Sequence, residues 1–343
     1  MIRSHPFALS LLGLAAGLLA AAALPYLLAW TPAEREPATV SCTAQAPQLL
    51  AGQALKVMTW NVQGFTGSRE QRPDASRGER RAERVDAAEV AANLAEVARI
   101  VREENPDLLL LQELHDGDRS TARQDQLAEL KQALGELYPC SGEAFYRKAR
   151  WLPDPRESGP VGIKLALLSR FHIDAAERVQ LPTEPGHWLA APFAAKPALL
   201  VAELPMRGAA ALTVATTRLD SAIEGNGIRQ ATELGQLMAD WQNARRHWLI
   251  AGDWNLPYTI DGRTHVLPPN LSPFRQVPRV GELVGPGQRQ WATYQRGEEL
   301  QVFDHLFHGN SLKRLEAAVR QQDTDALSNH RPLMVRLLLP AGD

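Results

Sequence analysis

A chain of 343 residues that is 45% hydrophobic and 22% charged can build one large domain or two small ones, and it is neither disordered nor collagen-like. Its formal net charge of −2 supplies no global attraction for nucleic acid, although it does not forbid local binding. Two cysteines, Cys42 and Cys140, lack metal-ligand spacing and argue against a cysteine-bound zinc; in an exported chain the pair can form a disulfide, which the sequence leaves open.

Residues 1–30 differ in kind from the rest. Arg3 and His5 precede an uncharged stretch from Pro6 to Trp30, long enough to span a bilayer. The run Ala21–Ala23 could serve as a cleavage site, but more membrane-like sequence follows it. The expectation is an uncleaved N-terminal transmembrane helix, with Arg3 on the cytoplasmic side and the remainder exported, periplasmic or extracellular. Secretion after cleavage is the alternative. Residues 31–53, rich in Ala, Pro and Gln, read as a linker, and 54–343 as the folded domain.

Strand and helix patterns alternate from Leu55 onward. LKVMTWNVQ is a β-leaning run, and SRGERRAER at 76–84 reads as a solvated loop running into a helix. That helix is expected over about 81–104, with Val85, Ala88, Ala92, Ala95 and Ile100 near one face. It ends at Asn105-Pro106, because the residue before proline is pushed out of the helical region. DLLLLQEL has the continuous apolar character of a buried strand, and 122–137 is a helix bearing Leu127, Leu130, Leu134 and Leu137. VGIKLALLS follows, then PALLVAELP and AALTVATTRL, parted by MRG as a hairpin turn. A helix over 228–245 leads into HWLIAGDWN, and VFDHLFHG and PLMVRLLL are the last strands. Hairpins mixed with helical crossovers predict a single α+β domain of packed sheets with helices outside.

Polar residues recur where the apolar strands end. Asn61 closes MTWN, Glu113 closes LLLLQE, Asp253 and Asn255 close LIAGDWN, Asp304 lies in VFDH, and His330 precedes the last strand. Strand ends are fixed by the sheet yet open to solvent, so a set gathered from several of them is both rigid and reachable. Taken singly, each has a structural explanation as a turn residue, a cap or a surface histidine.

TWNVQG, DLLLLQEL, ALLSR, TTRLD, GDWN, FDHLF and SNHRP, in that order over about residues 55–340, resemble the endonuclease/exonuclease/phosphatase superfamily. The resemblance implies a four-layer α/β/β/α sandwich of two packed mixed sheets. It also implies phosphoester hydrolysis with Mg²⁺ or Mn²⁺ held by oxygen ligands. Glu113 matches the main metal ligand, with Asn61 beside it as a neutral ligand or orienter. Asp253 matches the residue that positions or deprotonates the attacking water, and Asn255 the donor to a phosphate oxygen. His330 matches the general base or the donor to the phosphoryl group, with Asp304 fixing its tautomer. RQATEL at 229–234 also fits, with Arg229 structural.

Two positions depart from the family pattern. Arg218 stands where histidine is frequent; it stays protonated, so it is a candidate for phosphate binding or a structural ion pair, and not for base catalysis. Asn329 stands where aspartate usually precedes the histidine and helps bind the metal, so it keeps an oxygen and loses a charge. The leading expectation is a membrane-anchored phosphodiesterase or nuclease, with a phosphatase or a sphingomyelinase/phospholipase-type enzyme as alternative. A catalytically impaired binding module on the same fold is the third reading. The partners expected are a phosphate-ester substrate, nucleic acid or lipid headgroup, and the membrane itself; no protein partner is expected. GHWLAAPF and RQWATYQRG are candidate substrate-groove loops.

Overall fold

The computed structural model describes residues 29–68, 85–152, 159–183, 191–221, 226–259, 268–283 and 287–342, with four separate positions before residue 29. The expected membrane-spanning segment therefore lies almost wholly outside the described residues. Among the described residues, no helix is long and apolar enough to cross a membrane.

The chain opens with three short strands, β1 (Arg35–Pro37), β2 (Thr39–Cys42) and β3 (Leu49–Leu50), ahead of β4 (Ala54–Asn61). Helix α1 (Ala87–Glu104) is capped by Asp86, whose carboxylate accepts from the Ala88 backbone amide, and it buries Val90, Leu94, Val97, Ile100 and Val101. Of the face expected from sequence, Ala88, Ala92 and Ala95 are exposed instead, because the larger valines and Leu94 remove more apolar surface from water. Its end is set by Asn105, left-handed at φ 51° and ψ 51°, as the following proline requires a non-helical residue there. Strand β5 (Leu108–His115) and helix α2 (Gln126–Leu134) follow, then the long hairpin β6 (Cys140–Leu152) and β7 (Gly159–Ser169). Next come β8 (Ala175–Gln180), β9 (Ala198–Leu204), β10 (Met206–Arg207) and β11 (Leu212–Arg218), and helix α3 (Gly227–Asn243). The chain ends with β12 (His247–Thr259), β13 (Arg275–Val277), β14 (Tyr294–Arg296), β15 (Glu299–His308), β16 (Lys313–Val319) and β17 (Leu333–Leu338).

Two mixed sheets, ordered β1-β8-β9-β11-β12-β15-β13, with β14 also paired to β15, and β16-β17-β4-β5-β7-β6-β2, take up all of these strands but β3 and β10, which pair with each other. Each contains a parallel pair at its centre, β11 with β12 and β4 with β5, as a helical crossover between neighbours demands. Leu55, Val57, Leu108 and Leu110 face Leu200, Val214, Leu249 and Ala251 across the inter-sheet core. The alternate residues of the second sheet, Met58, Trp60, Leu109 and Leu111, pack under α1 and α2 with Val90, Leu94 and Leu130. On the far side, Leu199, Ile250, Trp254 and Phe307 pack under α3 with Leu234, Met238 and Trp241. Both faces of the central strands are thus buried, which is why they read as unbroken apolar runs.

The stretch expected to be a linker departs from that expectation. Between residues 31 and 53, β1 pairs antiparallel with β8 and β2 pairs with β6, so this segment edges both sheets. Cys42 lies opposite Cys140 in the β2–β6 register, and the two form a disulfide across 98 residues of sequence. Such short, half-exposed edge strands carry little apolar signal, and the pairing depends on contacts distant in sequence.

Closing a loop of that length restricts the unfolded chain. Replacing Cys42 and Cys140 together by serine should lower stability by roughly 4 kcal/mol, seen as a lower urea midpoint with a steeper slope, because the freed unfolded chain exposes more surface. An unchanged midpoint would show that the bridge contributes nothing to folding.

Candidate active site

Glu113 sits near the end of β5, where pairing to β7 slips between Leu111 and Leu114. The slip puts Glu113 at φ 58°, a left-handed conformation that a non-glycine residue adopts at a cost, and turns its carboxylate toward the other sheet. On the facing sheet, β12 slips against β15 between Asp253 and Tyr258, and Asn255 lies there at φ 48°. Just before that slip, β11 crowds Gly252: a Cβ added there would lie 2.1 Å from the Thr217 carbonyl oxygen, so only glycine fits.

Asn61 joins the two sheets. Its amide nitrogen donates to Glu113 Oε1 and to Asp253 Oδ2, each at 3.0 Å, while its oxygen accepts from the Gln63 amide. The nitrogen, not the oxygen, faces the acids, so Asn61 orients the carboxylates and does not offer them a ligand oxygen. Arg218, at the end of β11, donates from Nε to the same Glu113 Oε1 at 3.0 Å and lies 3.9 Å from Asp253. Burial pushes the Glu113 carboxyl up, but the Arg218 charge, the Asn61 donor and His330 outweigh it and hold it below the ordinary range. Both bonds fall on Oε1, leaving Oε2 without a partner among the described residues. Asp253 Oδ1 accepts from the Asn255 backbone amide at 3.0 Å, while Oδ2, which accepts from Asn61, is the oxygen turned toward His330.

His330 faces this group from the loop before β17. Its Nε2 lies 3.8 Å from Asp253 Oδ2, and its Nδ1 is 2.9 Å from Asp304 Oδ2 on β15. The loop is fastened to β4: the Ser328 hydroxyl donates to the Asn61 carbonyl, and the Trp60 indole donates to the His330 carbonyl at 2.8 Å. Tyr294 closes the other side, its ring edge-on to His330 with centroids 5.0 Å apart. Burial alone would lower the imidazole pKa, but the Asp304 and Asp253 carboxylates overcome it and raise it to about 9. Burial raises the Asp304 carboxyl to about 6 against the pull of His330.

Seven of the eight residues expected from sequence meet here. Asn255 contributes its backbone to Asp253 while its side-chain amide donates to the Leu219 carbonyl at 3.2 Å. Asn329 is held apart: its side-chain oxygen accepts from the Ser68 hydroxyl, its backbone amide donates to Gln63 Oε1, and its backbone carbonyl accepts from the Gln295 amide. As a candidate ligand, that oxygen is already engaged, and the residue serves to join three loops. Arg229 bonds to Asn226 at the start of α3, in keeping with a structural reading. RQWATYQRG does adjoin the site through Tyr294 and Gln295, whereas most of GHWLAAPF and all of SRGERRAER lie outside the described residues.

Two members escaped the sequence reading. Tyr146 on β6 is buried, and its hydroxyl pKa rises far above the ordinary value through burial and the nearby Glu113 and Asp253 charges. Gln112 donates across the core to Thr216 Oγ1 at 2.8 Å and to Thr59 Oγ1 at 3.0 Å, tying the sheets one residue beneath Glu113. A polar residue directly after four leucines, still within the strand, was the available signal for Gln112; Tyr146 had none.

Asp253, Asp304 and His330 bring ligand-type atoms within 4.8 Å of one another. The 2.9 Å bond already commits Asp304 to His330, so the better seat for a cation is the open edge of Glu113 with Asp253. Those oxygens, in a chain whose cysteines are both in the disulfide, fit a hard divalent ion and not a thiophilic one.

Two mixed sheets that deliver acids, amides and a carboxylate-paired imidazole to one cleft define a sandwich of the phosphoester-hydrolase class. The chain belongs to the endonuclease/exonuclease/phosphatase family, whose model matches residues 58–330. Members of that family are typically phosphoester hydrolases and generally use a divalent metal. Among solved structures, an endonuclease/exonuclease/phosphatase protein from Beutenbergia cavernae is 22% identical with a TM-score of 0.56, over 84% of this chain and 72% of that one. TDP2 from C. elegans is 18% identical with a TM-score of 0.52, over 84% and 76%. The human nocturnin catalytic domain, solved with a bound sulfate anion, is 18% identical with a TM-score of 0.53, over 88% and 97%. No curated protein matches the chain.

Asp304 is the main source of the upward shift at His330. In Asp304→Asn, the His330 titration followed by ring NMR should move down by roughly one unit or more. An unmoved midpoint would assign the shift to Asp253 instead.

Proposed function

We propose that this protein is an exported, Mg²⁺- or Mn²⁺-dependent phosphoesterase that hydrolyses phosphodiesters, as a nuclease or related phosphodiesterase. The observation that carries the reading is the run Arg218–Glu113–Asn61–Asp253, joined by 3.0 Å hydrogen bonds and faced at 3.8 Å by His330. The Cys42–Cys140 disulfide and the uncharged N-terminal segment support export with a membrane anchor. A phosphatase, or a sphingomyelinase/phospholipase-type hydrolase of lipid or inositol phosphates, is the alternative within the same chemistry. The sulfate in nocturnin, a tetrahedral anion like phosphate, supports an oxyanion substrate without choosing between them.

Glu113 through Oε2, together with Asp253, would hold the cation, which supplies charge relief at the phosphoryl oxygens. Arg218, fixed by its Nε on Glu113, directs its outer nitrogens to a non-bridging oxygen. Asp253, with Oδ1 held by Asn255, presents Oδ2 to orient the attacking water and take its proton. His330 donates from Nε2 to the phosphoryl group, and Asp304 at Nδ1 keeps that nitrogen aimed into the cleft. Since its pKa is raised to about 9, the imidazole is cationic at neutral pH and acts as the donor of the two roles open to it.

A second reading has one specific observation in its favour. The Arg218 guanidinium places a permanent charge on the proposed cation ligand, as a binding module that had given up catalysis would tolerate.

The test is hydrolysis of plasmid DNA, single-stranded RNA, sphingomyelin and bis-p-nitrophenyl phosphate by the full chain with Mg²⁺, Mn²⁺ or EDTA. EDTA-sensitive turnover is expected on at least one substrate, and Glu113→Ala and His330→Ala should each lower kcat on the order of 100-fold or more. No turnover across the panel with either ion would favour the binding module. For the active enzyme, kcat/KM should fall as pH rises through about 9, where His330 loses its proton. A rate that keeps climbing beyond that point would make His330 a base.

A further inference from the structure

The β6–β7 hairpin runs on past the catalytic end of β5. Pairing with β5 stops at Leu114–Lys164 and His115–Ile163, while β6 and β7 stay paired to Leu152–Gly159. The outer edge of β6 is covered by β2 only as far as Glu143. The remainder is an arm at the rim of the cleft, based on Phe145 and Tyr146 and carrying Lys148, Arg150 and Trp151 outward. All three are exposed, Trp151 at 59%, and Lys148 and Arg150 form no ion pair among the described residues. Charges on a free strand edge also discourage edge-to-edge pairing, but that does not account for an indole left in solvent beside them.

The base of this arm is where the N-terminal segment arrives. Trp30 packs edge-on against Phe145 with ring centroids 6.4 Å apart. Lys148 Nζ sits 4.3 Å from the centre of the same Phe145 ring. Arg178 fastens the junction, its guanidinium 5.0 Å from the Trp30 ring and its Nε donating to the Phe145 carbonyl at 2.8 Å. β1 then begins at Arg35, leaving little slack between Trp30 and the sheet. The uncharged run from Pro6 thus ends in contact with the arm, and Trp151 lies only about 10 Å beyond Lys148 at strand spacing.

We propose that the β6 arm is a membrane-contact surface, in which Lys148 and Arg150 meet anionic lipid headgroups and Trp151 enters the interfacial layer. An indole flanked by cations is the composition that interfaces favour, and basic side chains near anionic lipid are drawn to it electrostatically. The arm then holds the rim of the cleft against the bilayer. This shares with the proposed function the placement of residues 6–29 in a membrane, and it is independent of catalysis.

The experiment uses the full chain in nanodiscs containing anionic phosphatidylglycerol or only phosphatidylcholine, each with nitroxide-labelled headgroups. A fluorophore is attached at Trp151→Cys or, as control, at Leu315→Cys, a residue 42% exposed on β16 at the opposite edge of the same sheet. The 151 label should be quenched at least twofold more than the 315 label, and more so with anionic lipid. Adding Lys148→Glu and Arg150→Glu should remove most of that anionic increment. Equal quenching at the two positions, or none at 151, overturns the proposal. So does an oligonucleotide that shields the 151 label from aqueous iodide while lipid nitroxides leave it bright, the result for a nucleic-acid surface. Turnover of soluble bis-p-nitrophenyl phosphate by the same variants is read separately, and its absence counts against the proposed function alone.

Discussion

One side-chain amide sets the geometry on which the site depends. Asn61 belongs to one sheet and Asp253 to the other, and the amide nitrogen of Asn61 bonds to both Asp253 and Glu113. Carboxylates that close repel unless something positive stands between them, and here two N–H donors and the Arg218 guanidinium do so. The contact holds only if the two sheets stack in one alignment. Gln112 beneath it, bonded across to Thr216, fixes the same alignment from within the core.

The backbone is shaped to serve this contact. Glu113 and Asn255 occupy left-handed positions at ladder slips, one on each facing sheet, and each such conformation costs on the order of 1 kcal/mol. Regular strands would carry alternate residues to opposite faces and could not aim neighbouring acids into one cleft. Packing of Trp60, Trp254 and Phe307 on the outer faces stabilises the sheets enough to keep these irregularities in place.

The central strands were legible because they are buried on both faces, and the acids because each closes such a run. The helices were legible as segments and the stop at Asn105 from the proline behind it, but the face expected for α1 was not: Ala88, Ala92 and Ala95 point to solvent while the larger Val90, Leu94 and Val97 take the core. β1, β2 and the outer half of β6 were not, since Arg35–Pro37 or YRKARW shows no apolar pattern and pairs only because a partner strand is already there. The positive φ of Glu113 could not be read either, for glutamate carries no signature of a bulge. Asn329 shows a different limit. Its place in the motif suggested a ligand, yet the Ser68 hydroxyl, far away in sequence, engages its side-chain oxygen, and Gln63 holds its backbone amide.

The position of the disulfide has a mechanical consequence. Tension applied to the chain ahead of residue 30 first meets Trp30 and β1, held by stacking and a few hydrogen bonds, and then β2. At Cys42 the load passes through a covalent bond into β6 at Cys140. Peeling from the N-terminus therefore stops at the edge of the sandwich, and β4 with Asn61 is shielded from strain along that path. A pull on the first forty residues is thus delivered to β6, the strand that carries Tyr146, and not to β4 or Asn61.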